Sequence, residues 1–490
     1  MSHDGVRDLA RYQDWARRAL PRGLVFLGPD PHHALGFIDL VPQLAVAAAD
    51  RPPALADLAA EGLPLWSPGR DLDGGSSAAD PALLSAANAE VDPDGDSGRS
   101  SADLASVPGF AAWLDGLAEG QPRPPVAVFK PSHRLEQLAA ADGWRLLSPP
   151  AGLSRRWENK VAFRERAAAL GLHQPPGMAV EAATAFALVA DILGLPFVLQ
   201  APHGYSGART LLVEDEDGFD AARASLRAPR LRATAFVLGR PLTLNACVTA
   251  KGVAASAPFV QVTGEQGLTR YGLGSCGNDW SWPGLAALDL AAYRRASRAV
   301  GEALAEEGFH GLFGLDFVQP YDHGEPWLIE VNPRLVASVS LHAQLELHAG
   351  RVPLAARHLM ALLDPAADDL PLDLHEGPLL GGQLIVHNLG AGPRVWDRAT
   401  PAGAWSGTAS GADEGHAGLL RQLPALACLL LPPPRGRPVA SGAEWGRVQC
   451  PQGVTNAAGA ARPALLAKIA GLLAAGGWPT SSVGNDGVTA

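Results

Sequence analysis

GLFGLDFVQPYDHGEPWLIEVNPR, Gly311 to Arg334, holds two apolar runs, Leu312 to Val318 and Trp327 to Asn332, joined by a turn-rich loop with Asp322, His323 and Gly324. The pattern predicts an antiparallel hairpin. Alternation places Phe313, Leu315 and Phe317 on one face of the first strand, and Trp327, Ile329 and Val331 on one face of the second. The opposite face then carries Asp316, Glu330 and Asn332. Two carboxylates on adjacent strands repel, and burying them is unfavourable unless a cation or donor compensates. Magnesium is the natural compensation, because it prefers oxygen ligands and takes one or two carboxylates, leaving the rest of its shell to water and phosphate. Asp316, Glu330 and the Asn332 amide oxygen are therefore the candidate ligands. Arg334, just past Pro333, is placed to donate a bidentate fork to a phosphate or carboxylate. The competing reading is a solvated hairpin face with a surface arginine.

Upstream, LPFVLQAPHGYSGARTLLVED gives a strand from Pro196 to Gln200, a loop with Gly204, Tyr205, Ser206 and Gly207, and a strand from Thr210 to Val213. The backbone N–H groups of such a loop suit phosphate oxygens, although no GK[ST] opens a helix as in a Walker A loop. A helix is expected from Trp157, on the spacing of Phe163, Ala167 and Leu170, with Gly171 as its cap. Lys160 lies in its first turns and is either a phosphate contact or a solvated lysine. Further helices are expected from Ala182 to Leu193 and around Tyr293, Ala296, Val300 and Leu304.

In order and content these pieces resemble the ATP-grasp superfamily. ENK with GLHQPPG, the Gly/Ser hairpin, FVLGRPLTLNACV, GLFGLDF and LIEVNPR follow the sequence shown by that superfamily, over residues 151 to 350. The resemblance implies ATP held between two α+β subdomains, with Asp316, Glu330 and Asn332 binding magnesium or manganese. It also implies Arg334 near the transferred phosphate, Lys160 as a nucleotide contact, and Gly204, Ser206 and Gly207 in the phosphate-covering loop. Two departures stand out. Gln200 occupies the place of a second lysine in many members, and Thr234 stands near the place where an acidic residue often binds the ribose. The chemistry implied is activation of a carboxylate as an acyl-phosphate for attack by an amine, both small molecules. The alternatives are biotin-carboxylase-like carboxylation and an ATP-binding regulatory protein without turnover.

The expected fold is mixed, α+β with α/β: an N-terminal α/β domain over 1–150, ATP-grasp subdomains over 151–238 and 239–372, a β-rich C-terminal extension over 373–478 ending in a helix from Pro463 to Ala475, and a disordered tail over 479–490. The N-terminal region contributes strands at Leu24 to Leu27 and Val126 to Phe129, with Gly28 lacking the context of a dinucleotide-binding turn. Residues 71–102, acidic and rich in Gly, Ser and Pro, read as a mobile loop. YGLGSCGNDWSWPG, Tyr271 to Gly284, reads as a turn anchored by tryptophans, or else as part of the acceptor site. His342 reads as helix packing.

A length of 490 residues allows about three domains. The net charge of -11, without a basic cluster interleaved with aromatics, argues against nucleic acid. Four scattered cysteines without CxxC spacing read as reduced thiols, and no apolar run is long enough for a membrane span. A cytoplasmic protein is expected.

Overall fold

A computed structural model of the chain describes residues 3–68, 100–204, 207–372, 379–408, 411–412, 414–415 and 427–480. The expected mobile loop falls outside these residues from 71 to 99, as does the tail from 481 on. The end of that loop is ordered, contrary to expectation: Ser101–Ala105 is helical, because Ser100 and Asp103 cap it reciprocally.

Near the N-terminus, five parallel strands lie in the order Leu65–Trp66, Leu44–Ala48, Leu24–Gly28, Val126–Val128, Leu146–Leu147. Its central strands are buried on both faces, as expected of a parallel sheet covered by helices. A second sheet, antiparallel, runs Gly177–Glu181, Arg230–Ala235, Phe197–Gln200, Thr210–Val213. One of its faces is apolar: Phe197, Leu199, Leu231 and Ala233 pack with Val189 and Phe219 of the helices Phe186–Leu193 and Glu216–Leu226. The alternate residues Val198, Gln200, Arg232 and Thr234 face a cavity. The helix expected from Ala182 starts only at Phe186, because Thr184 closes a turn on Glu181.

The largest sheet has eleven strands. Trp327–Asn332 forms one edge and pairs with Gly311–Pro320, which pairs with Gly239–Thr249; Phe259–Thr263 and Ser275–Asp279 follow. Beyond them, Gly382–His387, Glu444–Cys450, Cys428–Leu431 and Gly403–Trp405 continue the same sheet. Helix Leu290–Glu306 buries Tyr293, Val300 and Leu304 against it, and Pro463–Ala475 buries Leu465, Ile469 and Leu472.

Four expectations are corrected here. The single helix expected from Trp157 is two, Ala151–Glu158 and Lys160–Ala169, broken where the Asn159 side chain caps the second by accepting from Val161 and Ala162. The turn expected at Tyr271 to Gly284 contains the strand Ser275–Asp279 in mid-sheet. Gly277 disguises it but is required there, since a Cβ would lie 2.4 Å from the Gln383 carbonyl oxygen. Cys428 and Cys450 are bonded to each other rather than reduced, being neighbours on adjacent strands although 22 residues apart. Ile329 does not share a face with Val331: the pairing shifts after Asp316–Glu330 so that Phe317 meets Leu328. This bulge buries Leu328 and Val331 and turns Ile329 toward the cavity. Trp327 is also outside that core and stacks on His173, ring centroids 3.6 Å apart.

Candidate active site

The four-stranded sheet and the long sheet enclose a cavity of about 270 Å³. Its wall includes Asp316, Glu330, Asn332, Arg334, Lys160, Gln200, Gly204, Gly207 and Thr234, nine of the ten residues singled out from the sequence. The tenth, Ser206, lies outside the described residues.

Asp316 and Glu330 face each other directly across the hairpin, with Thr243 opposite Asp316 on the next strand. Burial raises the Asp316 carboxyl above the usual range, and the Glu330 charge adds to it. Burial pushes Glu330 the same way, but Lys160 and then Arg232 outweigh it and hold Glu330 ionised. The Lys160 ammonium forms an ion pair with Glu330. Its position follows from the helix break: residue 160 is the first of its helix, and its N–H donates to the Pro202 carbonyl at 2.9 Å beside the Gly/Ser loop.

Among the described residues Asp316 accepts from neutral amides, Gln261 Nε2 at 3.3 Å and Asn332 Nδ2 at 3.2 Å. Thr243 and the Lys160 charge also favour its ionised form, while a hydrogen bond shared with Glu330 favours the protonated one. The two facing acids and the Asn332 amide make an oxygen-rich donor set of the kind magnesium takes, and among the described residues no cation forms an ion pair with Asp316. The residues fit the ion.

Arg334 is tightly held. Its Nε is paired with Glu158, Nη1 donates to the Leu335 carbonyl at 3.1 Å, and Nη2 donates to Asn332 Oδ1 at 3.3 Å. The guanidinium also lies over the Phe129 ring, 5.4 Å from its centroid. Phe129 follows the central parallel strand Val126–Val128 and stacks on His33 at 3.9 Å, so the N-terminal sheet reaches the cavity wall.

Several wall residues escaped sequence reading. Arg232 is 4% exposed and joins the two sheets: its Nε donates to Gln200 Oε1 at 2.9 Å and its Nη1 to the Ile329 carbonyl at 2.8 Å. Alternation in Arg230–Ala235 offered a partial signal, since it places Arg232 and Thr234 on one face. Farther along the wall stand Ile385, His387 and Glu444, from strands without a motif, with Leu273, Ser275 and Asn278 of the Tyr271–Gly284 segment, whose alternative reading is part of the acceptor site. Glu444 and Asp30 both pair with Arg447, which supplies the cation in their cluster with His32.

Cys276 and His342 are buried and do not line the cavity. Burial raises the Cys276 thiol to about 12, so it is no nucleophile. His342 packs in its helix as expected and belongs to a buried network: Ser338 donates to Asn245 Oδ1 at 3.2 Å, and Asn245 Nδ2 lies 2.8 Å from His342 Nδ1. No helix among the described residues is long and apolar enough to cross a membrane.

No family model matches the sequence, and no curated protein matches it. Solved structures do match. N5-carboxyaminoimidazole ribonucleotide synthetase from Thermus thermophilus aligns with a TM-score of 0.52 and 18% identity, over 92% of this chain and 97% of that one. The complex of biotin carboxylase from Campylobacter jejuni with β,γ-ATP aligns with a TM-score of 0.55 and 13% identity, over 92% and 90%. N5-carboxyaminoimidazole synthase from Aspergillus clavatus, in complex with ADP and 5-aminoimidazole ribonucleotide, gives 0.52 and 16%, over 87% and 93%. At such identities the likeness is one of architecture. These neighbours share a single scaffold, with the paired-acid hairpin at the edge of its long sheet in this chain: the ATP-grasp fold.

Proposed function

We propose that the chain is an ATP- and magnesium-dependent ligase that activates a small carboxylate as an acyl-phosphate for attack by an amine. The observation that carries this reading is the convergence of Asp316, Glu330 and Asn332 with Lys160, Gly204 and Gly207 in one cavity between two sheets. Magnesium held by Asp316, Glu330 and Asn332 supplies neutralisation of phosphate charge. Lys160, at its helix start, and the N–H groups of residues 204 and 207 orient the phosphates. The carboxylate oxygen attacks the γ-phosphorus and ADP leaves; the amine nitrogen then attacks the acyl carbon, phosphate departs, and the amine proton passes to solvent or phosphate. Arg334, immobilised by Glu158, Asn332 and Phe129, presents a fixed positive charge to the transferring group. The four-stranded sheet acts as a lid that excludes water from the acyl-phosphate.

The second reading takes bicarbonate as the carboxylate, and it is favoured by neighbours named as a carboxylase and as synthases of carboxylated aminoimidazoles. A screen of magnesium-dependent ADP release across amino acids, small amines and bicarbonate, with product masses, tests both. ADP release needing a carboxylate and an amine supports the first, and release needing bicarbonate supports the second. No turnover with any acceptor refutes both.

A further inference from the structure

Arg232 is the most confined cation of the cavity wall. It sits on the inner face of the four-stranded sheet, directly opposite Gln200 on the neighbouring strand. A hydrogen-bonded row crosses the sheet there: Gln200 Nε2 donates to Thr210 Oγ1 at 3.0 Å, and Gln200 Oε1 accepts from Arg232 Nε at 2.9 Å. The row ends at the carbonyl of Ile329, the bulged residue beside Glu330. These partners are neutral. Among the described residues no carboxylate forms an ion pair with Arg232, and the acid nearest in influence, Glu330, is paired with Lys160.

A guanidinium that is 4% exposed and held only by neutral oxygens is unfavourable by itself, because desolvation of the charge is not repaid by an opposite one. Burial depresses its pKa to about 10, against a Coulombic pull from Glu330. Such a charge is worth keeping in a ligand cavity when the ligand is an anion. The guanidinium plane suits the paired oxygens of a phosphate.

Resting on the nucleotide reading above, we infer that Arg232 is the lid's phosphate-binding cation, taking the polyphosphate of the nucleotide, with Gln200 as its positioning residue. The cation has moved one strand across the sheet. Directly paired residues have Cβ atoms about 5 Å apart, so an arginine at 232 reaches the space that a lysine at 200 would enter. Gln200 then has a purpose that the loss of a lysine leaves unexplained: its oxygen aims the guanidinium, and Thr210 fixes its amide.

The test is calorimetric binding of MgATP and of adenosine to the parent, to R232M, and to the swap Q200K/R232M. The expected result is a loss of MgATP affinity of about tenfold or more in R232M, the range of a charge-assisted hydrogen bond, with adenosine affinity within about twofold of the parent. The swap is expected to recover most of that loss. R232M binding MgATP as tightly as the parent overturns the inference alone. A parent that binds no MgATP overturns the nucleotide reading and this inference with it. If R232M does not fold, the swap decides: recovery of MgATP binding supports the relocated cation, and a folded swap protein that binds adenosine but not MgATP overturns it.

Discussion

Glu346 permits a stability prediction with its sign fixed by burial. It lies in helix Val339–His348 at 5% exposure, accepts from the Leu354 N–H at 3.2 Å, and has His342 Nε2 3.9 Å away. Burial raises its pKa from 4.5 to about 8, against the Leu354 N–H, Arg351 and Arg357. The folded chain therefore retains this proton to about pH 8, whereas the unfolded chain releases it near 4.5. The stabilising contribution is complete below pH 4.5 and is lost as pH rises through the folded value. At about 1.4 kcal/mol per pH unit, the loss over that window is roughly 4 kcal/mol. E346Q mimics the protonated acid and keeps an oxygen for Leu354, but adds an amide N–H whose burial costs about 1–3 kcal/mol. The decisive quantity is consequently the slope. With an unfolding entropy of about 2 cal/mol/K per residue, the Tm of E346Q relative to the parent is expected to rise by about 4 °C between pH 4.5 and 8. Differential scanning calorimetry across that range gives the comparison, and parallel Tm curves for the two proteins refute the reasoning.

Three substitutions probe the cavity. D316N removes one of two facing acids, so turnover is expected to fall by roughly a hundredfold, while the protein in chelator melts higher than the parent because the repulsion is gone; turnover assays and thermal scans with and without magnesium measure this, and an unchanged magnesium response contradicts it. K160M leaves Glu330 without its ammonium; because the Glu330 side chain is 23% exposed, a discounted loss of about 2 kcal/mol is expected in urea unfolding, together with weaker MgATP binding. G207A forces a side chain onto a residue at φ +78, with its Cβ 2.5 Å from the Gly274 Cα; the loop must shift, and the KM for ATP is expected to rise severalfold with little change in Tm.

How much of this was legible in the sequence depends on how far apart the cooperating residues lie. Asp316, Glu330 and Asn332 share one hairpin, so period-2 alternation sufficed to place them together. The same alternation failed one residue before Glu330, at Ile329, because a bulge inserts one residue without any composition mark. Lys160 was legible as a helix-start residue, but its pairing with Glu330 depends on the packing of two segments 170 positions apart. Arg334 was assigned to phosphate without its partner Glu158, which belongs to a helix end hidden inside a longer periodic run. Arg232 was missed for a different reason. Arg230 and Arg232 look equivalent in RLRATA, yet Arg230 reaches exposed Glu165 and Glu181 while Arg232 is enclosed by Ile329 of another sheet. Only the docking of the two sheets distinguishes them.

The charges of the wall show what kind of ligand completes it. Lys160 is matched by Glu330 and Arg334 by Glu158. Among the described groups at that end of the cavity, Arg209 donates to the Leu226 carbonyl and has no ion pair; the other two without one are Asp316, held by neutral donors, and Arg232, held by neutral oxygens. They lie on opposite walls, one in the long sheet and one in the four-stranded sheet. A lone metal ion would satisfy Asp316 and add to the repulsion at Arg232; a lone anion would do the reverse. A polyphosphate carrying its own divalent cation satisfies both, with the metal toward Asp316 and phosphate oxygens toward Arg232. Metal and nucleotide are therefore expected to bind with positive coupling, which calorimetry reads as MgATP affinity exceeding that for ATP in chelator. In R232M or D316N the coupling should shrink, because each variant removes one of the two charges that demand a ligand of mixed sign. Equal affinities for ATP with and without magnesium in the parent would refute this account of the charge pattern.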